Sequence, residues 1–179
     1  MRTWAHLPTY YNEVQYYQSN IWNFPTSEVA VGNLGVSYLR AGRPGAAVDT
    51  WLVGTQMTPA YDVNWYNLYS TFRTQGQLGQ AREYLLRAVA SPLCHFKDKW
   101  GEELAQLEAE IDFHKAAQKI PESERLVWMR DQLLRATSDT TIAHQDLWKG
   151  LLGKVQEELA KRPPTPVASA PVIIEATTT

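Results

Sequence analysis

The sequence predicts an all-α fold of repeated antiparallel helix pairs, because it combines an internal 34-residue period, helical spacing of apolar residues, and glycine or proline where helices should end. Shifting the chain by 34 residues gives eight identities over 34 positions, against about two expected from ordinary residue frequencies. The matching pairs are Pro25/Pro59, Val29/Val63, Asn33/Asn67, Leu34/Leu68, Gly42/Gly76, Gly45/Gly79, Ala47/Ala81 and Leu52/Leu86. Such a period is typical of repeat arrays, in which each unit buries its apolar face against its neighbours.

The first helix of each unit is predicted over Ser27–Ala41 and Tyr61–Gln75, because apolar residues fall on one face at helical spacing. The residues on these faces are Val31, Leu34, Tyr38 and Leu39 in the first unit and Trp65, Leu68, Tyr69 and Phe72 in the second. Gly42 and Gly76 follow these helices, at the position where a helix ends in a left-handed residue.

The second helix of each unit is predicted over Pro44–Met57 and Leu78–Ala90. Pro44 suits a first turn, because the N–H that proline lacks would be unpaired there anyway. Ala47 and Ala81 place a small side chain where the two helices of a unit would approach closely. The two helix pairs together cover residues 26–92.

Residues 1–25 are predicted to contain the second helix of an incomplete earlier unit, or an N-terminal capping helix. Within residues 9–24, one stripe at helical spacing consists of Tyr10, Val14, Tyr17, Ile21 and Phe24. Tyr11 and Trp22 fall off this stripe. They are predicted to form a patch near a partner or a membrane, or a surface for self-association.

Residues 93–162 are predicted to be a degenerate repeat followed by capping helices, because their helical stripes no longer keep the 34-residue marks. The helices are predicted over Lys97–Lys119, Glu122–Ala136 and Thr141–Lys161, and Pro121 separates the first two. Their stripes contain Trp100, Leu104, Leu107, Ile111 and His114; Leu126, Met129, Leu133 and Leu134; and Ile142, Leu147, Leu151, Val155 and Leu159. Residues 163–179, with four prolines and three final threonines, are predicted to be a disordered tail or a linker.

Composition argues against several classes of function. The chain has 17 Lys and Arg against 19 Asp and Glu, and no basic cluster, which argues against non-specific nucleic-acid binding. Cys94 is the only cysteine, so an intramolecular disulfide and a cysteine-based zinc site are excluded. No apolar run approaches the ~20 residues of a membrane helix, and the N-terminus lacks the apolar stretch of a signal peptide.

No residue pattern indicates catalysis or a cofactor. The histidines, His6, His95, His114 and His144, lack metal-ligand spacing. Cys94 and His95 are neighbours whose side chains would point apart, so Cys94 is interpreted as a half-buried structural residue. The acidic run of Glu102, Glu103, Glu108, Glu110 and Asp112 is predicted to be a solvated helix face. The chain is therefore predicted not to be an enzyme.

The two units resemble the tetratricopeptide repeat family, whose pattern runs Trp, Leu-Gly, Tyr, then Gly, Ala, an aromatic residue, Ala and Pro. Residues at these places are Leu34, Gly35, Tyr38, Gly42, Ala47, Trp51 and Pro59 in the first unit, and Trp65, Leu68, Phe72, Gly76, Ala81, Leu85 and Ala88 in the second. The departures are Val31, Gly54 and Tyr69, together with Pro92, which comes one residue early. The resemblance implies an α-solenoid with a C-terminal helical cap. Its first helices would line a concave groove that binds an extended peptide or a partner helix.

The resemblance assigns the groove wall to Val29, Gly32, Asn33, Val36 and Arg40 from the first unit, and to Val63, Tyr66, Asn67, Ser70 and Arg73 from the second. Asn33 and Asn67 would either pair with a peptide backbone or serve hydrogen bonds between repeats. Arg40 and Arg73 would either hold a carboxylate or phosphorylated residue, or be exposed helix ends. The lysines of the carboxylate clamp in chaperone-tail receptors of this family are absent, which argues against that particular ligand.

The segment from Tyr10 to Pro25, followed by Asn33-Leu34-Gly35, is also similar to the junction in membrane glycosyltransferases of the O-mannosyltransferase-like class. In that class a multi-spanning catalytic part precedes extracytoplasmic tetratricopeptide repeats; Leu7-Pro8 stands where an Arg-Asn pair is expected. This resemblance implies the alternative function of a soluble accessory domain of a membrane-bound glycosyltransferase.

The two functions differ in compartment and share a class of partner. A free-standing chain would be cytoplasmic, whereas a fragment of the membrane enzyme would be extracytoplasmic. The expected partner is a protein or a peptide in both cases, with no nucleic acid and no membrane span in this chain. Formation of a homo-oligomer through the N-terminal helix stays open.

Overall fold

The computed structural model describes the backbone of residues 7–162 and the side chains of residues 13–162. Over that range every regular element is an α-helix, which confirms the all-α prediction. The helices are α1 (Leu7–Asn23), α2 (Glu28–Arg40), α3 (Pro44–Met57), α4 (Asp62–Thr74), α5 (Leu78–Ala90), α6 (Lys97–Gln118), α7 (Glu122–Ser138) and α8 (Gln145–Ala160). The predicted tail, His6 and the side chains of Tyr10 and Tyr11 lie outside the described residues.

Both predicted bounds are correct for α3 and α5. The bounds of the other helices lie within two residues of the prediction, apart from the start of one helix. The exception is α8, which was expected from Thr141 and begins at Gln145. The Asp139 carboxylate accepts hydrogen bonds from the Thr141 N–H at 2.9 Å and from the Thr141 hydroxyl at 2.6 Å, which stabilises a turn instead of a helix. His144 then takes a left-handed φ of 63°, so the helix starts only after it.

The predicted glycine ends of α2 and α4 are confirmed in detail. Gly42 and Gly76 have φ values of 73° and 74°, a region that a residue without Cβ enters at little cost. The Gly42 N–H donates to the Leu39 carbonyl at 3.0 Å, and the Arg43 N–H donates to the Tyr38 carbonyl at 2.9 Å. The same two hydrogen bonds recur 34 residues later after α4. Both turns therefore reverse the chain in the same way.

The chain divides into two compact units between Phe113 and His114. In the first unit α1 packs on α2, α2 on α3, α3 on α4, and α4 on α5. Its core includes two buried clusters. The first consists of Ala47, Trp51 and Leu68, and the second of Tyr69, Ala81, Leu85, Ala88, Trp100 and Leu107.

Ala47 and Ala81 are fully buried at these helix contacts, as the sequence predicts. Within the first helix pair, the indole of Trp51 lies directly on Gly35, and its Nε1–H donates to the Gly32 carbonyl at 3.0 Å. The corresponding residues one period later are Tyr69 and Leu85, so the second pair has its larger side chain on the opposite helix.

Four residues of the predicted apolar stripes are exposed: Phe24, Leu39, Leu134 and Ile142. Phe24 comes after the last residue of α1 and is 67% exposed, because the helix stripe no longer continues there. Leu39 is also exposed, since it lies about 80° around α2 from Val31, at the edge of the buried face. Trp22 is 89% exposed, which confirms that it lies off the α1 stripe.

In the second unit α7 packs on α8 through the buried side chains Met129, Leu133, Leu151 and Val155. The turn between these helices is held by the Gln145 amide, which donates to the carbonyl oxygens of Ala136, Asp139 and Ile142 at 2.9, 2.8 and 3.1 Å. Arg125 donates to the carbonyls of Ala117 and Ile120, and so ties the end of α6 to α7. Leu134 faces outward, in contrast to its place on the predicted stripe.

Candidate binding surface

Four of the five predicted groove residues on α2 reach the surface. Val29 and Arg40 are exposed, while Asn33 and Val36 are half-buried. Arg40 forms a 3.5 Å ion pair with Glu13 of α1. These four residues follow one another at spacings of four, three and four, so they form a continuous stripe along one face of α2.

Gly32, the fifth predicted groove residue on α2, is buried and faces the next repeat. A Cβ at this position would lie 3.4 Å from Oδ1 of Asn64 and 3.6 Å from the ring of Tyr61. Its role is therefore close packing between α2 and α4, and it has no surface to offer a ligand.

The α4 residues of the predicted groove fall into two groups. Val63, Asn67 and Ser70 are half-buried or exposed and repeat the spacing of the α2 stripe. Tyr66 is instead stacked on Trp100 of α6, with ring centroids 4.5 Å apart and planes 12° apart. Its hydroxyl donates to the Glu103 carboxylate at 3.1 and 3.3 Å. Burial and the neighbouring negative charge of Glu103 raise the pKa of Tyr66 to about 12.

Arg73 also has partners within the chain. Its Nη2 lies 3.3 Å from Oε2 of Glu110, and its Nη1 donates to the Tyr69 hydroxyl at 3.2 Å. The Tyr66–Glu103 and Arg73–Glu110 pairs both join residues 37 positions apart, two helical turns from each other. Helix α6 therefore runs beside α4 in the same direction, and it covers these two groove positions.

The acidic run on α6 is thus more than a solvated face. Glu110 is buried and paired with Arg73, and Glu108 forms a 2.6 Å ion pair with Arg82 of α5. The prediction that this run faces solvent is wrong for Glu110, because its carboxylate pairs with Arg73 of α4. The neighbouring helices α4 and α5 thus each direct one arginine toward a carboxylate of α6.

A hollow of about 350 Å³ lies between α1 and α2, beside the predicted groove. Its lining consists of Tyr16, Tyr17, Asn20, Phe24, Ser27, Val29, Ala30 and Asn33. None of these eight side chains is charged. Tyr16, Phe24 and Val29 are 62%, 67% and 53% exposed, so the rim of the hollow is apolar and open among the described residues.

Sequence reasoning missed Asn64, whose buried amide is a feature of the contact between α2, α3 and α4. Asn64 is fully buried, and neither its Oδ1 nor its Nδ2 has a hydrogen-bond partner. A Cβ at Gly54 would collide with this amide and would lie 2.9 Å from Val31. The sequence signal for this contact was Gly54, which stands where the repeat pattern has alanine. The missing methyl group leaves room for the Asn64 amide.

The residues considered for chemistry do not converge. Cys94 is half-buried and His95 is exposed; the His95 backbone N–H donates to the Asp62 carboxylate at 3.3 Å. Among the described residues, no three His, Cys, Asp or Glu side chains could share a metal ion. Over the same range, no helix combines the length and the apolarity needed to cross a bilayer.

Comparison of the chain with protein-family models, with curated protein sequences and with solved structures found no match.

Proposed function

We propose that this chain is a tetratricopeptide-like repeat scaffold that binds an extended peptide or a partner helix along α2 and α4. The repeat interpretation is supported by the two glycine turns, which share their φ values and hydrogen bonds 34 residues apart. It is also supported by the fully buried Ala47 and Ala81 at equivalent places in the two helix pairs. In this proposal the chain itself has no catalytic role and no cofactor.

The observation that carries the binding proposal is a pair of matching accessible stripes. Val29, Asn33 and Val36 on α2 correspond at every position to Val63, Asn67 and Ser70 on α4, and each of these six is partly or fully accessible. Each stripe places a carboxamide four residues after a valine. A carboxamide can donate to a peptide carbonyl and accept from a peptide N–H, while the valines offer apolar contact.

Arg40 extends the α2 stripe and can assist binding. Its ion pair with Glu13 is long and exposed, and pairs of this kind contribute only about 0.2–1 kcal/mol. A ligand carboxylate can therefore replace Glu13 at little cost. Arg73, the other predicted groove arginine, lies on α4 one position before the equivalent of Arg40; it is held by Glu110 and is not part of the proposed site.

A displayed random-peptide library, selected against the full chain, tests the proposal. We expect an enriched peptide whose dissociation constant rises about five- to 150-fold in the Asn67→Ala variant, because two hydrogen bonds of about 0.5–1.5 kcal/mol each are lost. Gln56→Ala removes an exposed carboxamide from α3 and is the matched control. Failure to enrich any peptide, or an equal loss in both variants, would contradict the proposal.

The alternative function, an accessory domain of a membrane-bound glycosyltransferase, is supported by the sequence similarity around Tyr10–Pro25 alone. It shares the same protein-binding surface and differs in what the surface positions.

A further inference from the structure

The contact between α2 and its neighbours shows what kind of element fits between successive repeats. Helix α2 lies against Trp51 and Gly54 of α3, against Tyr61 just before α4, and against Asn64 of α4. Trp51 donates to the backbone of α2, and Gly54 leaves room for the Val31 side chain. On the α2 side, Gly32 and Gly35 allow the backbone itself to reach these residues. The four residues Trp51, Gly54, Tyr61 and Asn64 are called here the helix seat.

The positions of the helix seat recur one period earlier in the chain. Subtracting 34 from each number gives Tyr17 and Asn20 on α1, Ser27 just before α2, and Ala30 on α2. All four of these residues line the 350 Å³ hollow. The hollow is therefore the counterpart, one repeat upstream, of the place that α2 fills.

The chemistry of the hollow suits an apolar helix face. Its eight lining residues carry no charge, and they combine aromatic rings with the amides of Asn20 and Asn33. Tyr17 stands where Trp51 stands in the helix seat, so an aromatic ring with a polar donor again faces the space. Exposed Tyr16, Phe24 and Val29 form an apolar rim of the kind that is enriched at protein interfaces.

We propose that the hollow between α1 and α2 binds an amphipathic helix of a partner protein, in the direction of α2 and with an α2-like pattern. That pattern consists of apolar residues at helical spacing, with glycine where the helix backbone comes closest to the helices that it packs against. In α2 these residues are Val31, Gly32, Leu34 and Gly35. This site shares Val29 and Asn33 with the α2 stripe of the peptide surface proposed above, but its four defining residues, Tyr17, Asn20, Ser27 and Ala30, belong to neither accessible stripe. The partner helix would pack on α1 and α2 in the same way that α2 packs on α3 and α4.

The probe for the test is a labelled synthetic peptide of residues 26–43, which contains the α2 sequence and thus the pattern that the helix seat accepts. We expect saturable binding of this peptide to the full chain in fluorescence anisotropy. A peptide with Gly35→Leu should bind at least about tenfold more weakly, because the new leucine side chain would collide with the ring of Tyr17. In the chain itself, a side chain at Gly35 would collide with Trp51, the residue one period after Tyr17.

Two variants of the chain test whether the α2 peptide binds in the hollow. Asn20→Arg introduces a long charged side chain into the hollow, whereas Ser19→Arg adds the same charge to the exposed face of α1. We expect Asn20→Arg to weaken binding at least about tenfold and Ser19→Arg to leave it unchanged. Phe24→Ala, a change at an exposed residue outside α1, should weaken binding as well and replaces Asn20→Arg if that variant does not fold.

Three results would overturn the inference. The first is no saturable binding of the α2 peptide, and the second is equal binding to the two arginine variants. The third is a dimer of the full chain that Asn20→Arg abolishes, since a second copy would then occupy the hollow. The Asn67→Ala variant should bind the α2 peptide normally, so failure here and failure of the peptide surface are distinguishable.

Discussion

Replacement of Gly35 by alanine tests whether the contact with Trp51 limits the approach of α2 and α3. A Cβ at Gly35 would overlap three atoms of the Trp51 indole, which is almost fully buried and cannot move into solvent. The indole would have to shift, and its hydrogen bond to the Gly32 carbonyl would weaken. In an unconstrained helix the same substitution is stabilising, so the sign of the effect reports on packing.

The expected magnitude follows from three contributions. Overpacking a tight core costs about 1–3 kcal/mol, and loss of the indole hydrogen bond costs about 0.5–1.5 kcal/mol. Helix propensity returns about 0.5–1 kcal/mol when glycine becomes alanine. We therefore expect Gly35→Ala to lower the free energy of unfolding by about 1–3 kcal/mol. Gly101→Ala, in α6 with open space around its Cβ, should raise it by up to about 1 kcal/mol.

Urea unfolding of the full chain, followed by circular dichroism, measures both variants. A double-mutant cycle with Trp51→Leu then isolates the contact, because the smaller side chain gives the new Cβ room. We expect a coupling of at least about 1 kcal/mol in favour of the double variant. Additive effects, or stabilisation by Gly35→Ala alone, would show that Trp51 does not set the helix separation.

Three further substitutions address a buried amide and a half-buried phenol. Asn64→Leu replaces an unpaired, fully buried amide with an apolar group of similar shape, so the free energy of unfolding should rise by about 1–2 kcal/mol; a fall in urea unfolding would mean that the amide is satisfied. The pKa of Tyr66, raised to about 12 by burial and Glu103, lies above the ordinary value of 10, so the neutral phenol stabilises the fold fully below pH 10 and this contribution is lost between pH 10 and 12. A phenolate absorbance titration should show one late-ionising tyrosine that Tyr66→Phe removes, and Glu103→Gln should lower its pKa; an unchanged titration in Glu103→Gln would contradict the assigned cause.

Helix bounds could be predicted from the sequence where a single residue type starts or ends the helix. Helix α3 could be delimited because Pro44 fixes its first turn, and the ends of α2 and α4 because Gly42 and Gly76 adopt positive φ. The start of α8 was wrong, since Asp139 and Thr141 form a side-chain turn in a segment whose apolar spacing continues the helical pattern. A competing local hydrogen bond is not visible in periodicity.

The proposed binding surface could be predicted only as two separate stripes. Asn33 and Asn67 fell on matching faces because their 34-residue separation is a sequence property. The covering of Tyr66 and Arg73 by α6 depends on residues 37 positions further along, beyond the period that the repeat analysis used. Which groove positions remain open was therefore decided by a contact between helices.

The sequence by itself determined the helices, their pairing and the two glycine turns, because each depends on a spacing or a residue type that acts within one or two turns. Only the tertiary structure decided which polar residues are enclosed. It buried Asn64 against Gly54, it turned Glu110 inward to Arg73, and, within residues 13–162, it left the hollow beside Tyr17 and Asn20 uncovered. These outcomes depend on how closely neighbouring helices approach, and side-chain volumes summed across several helices set that distance.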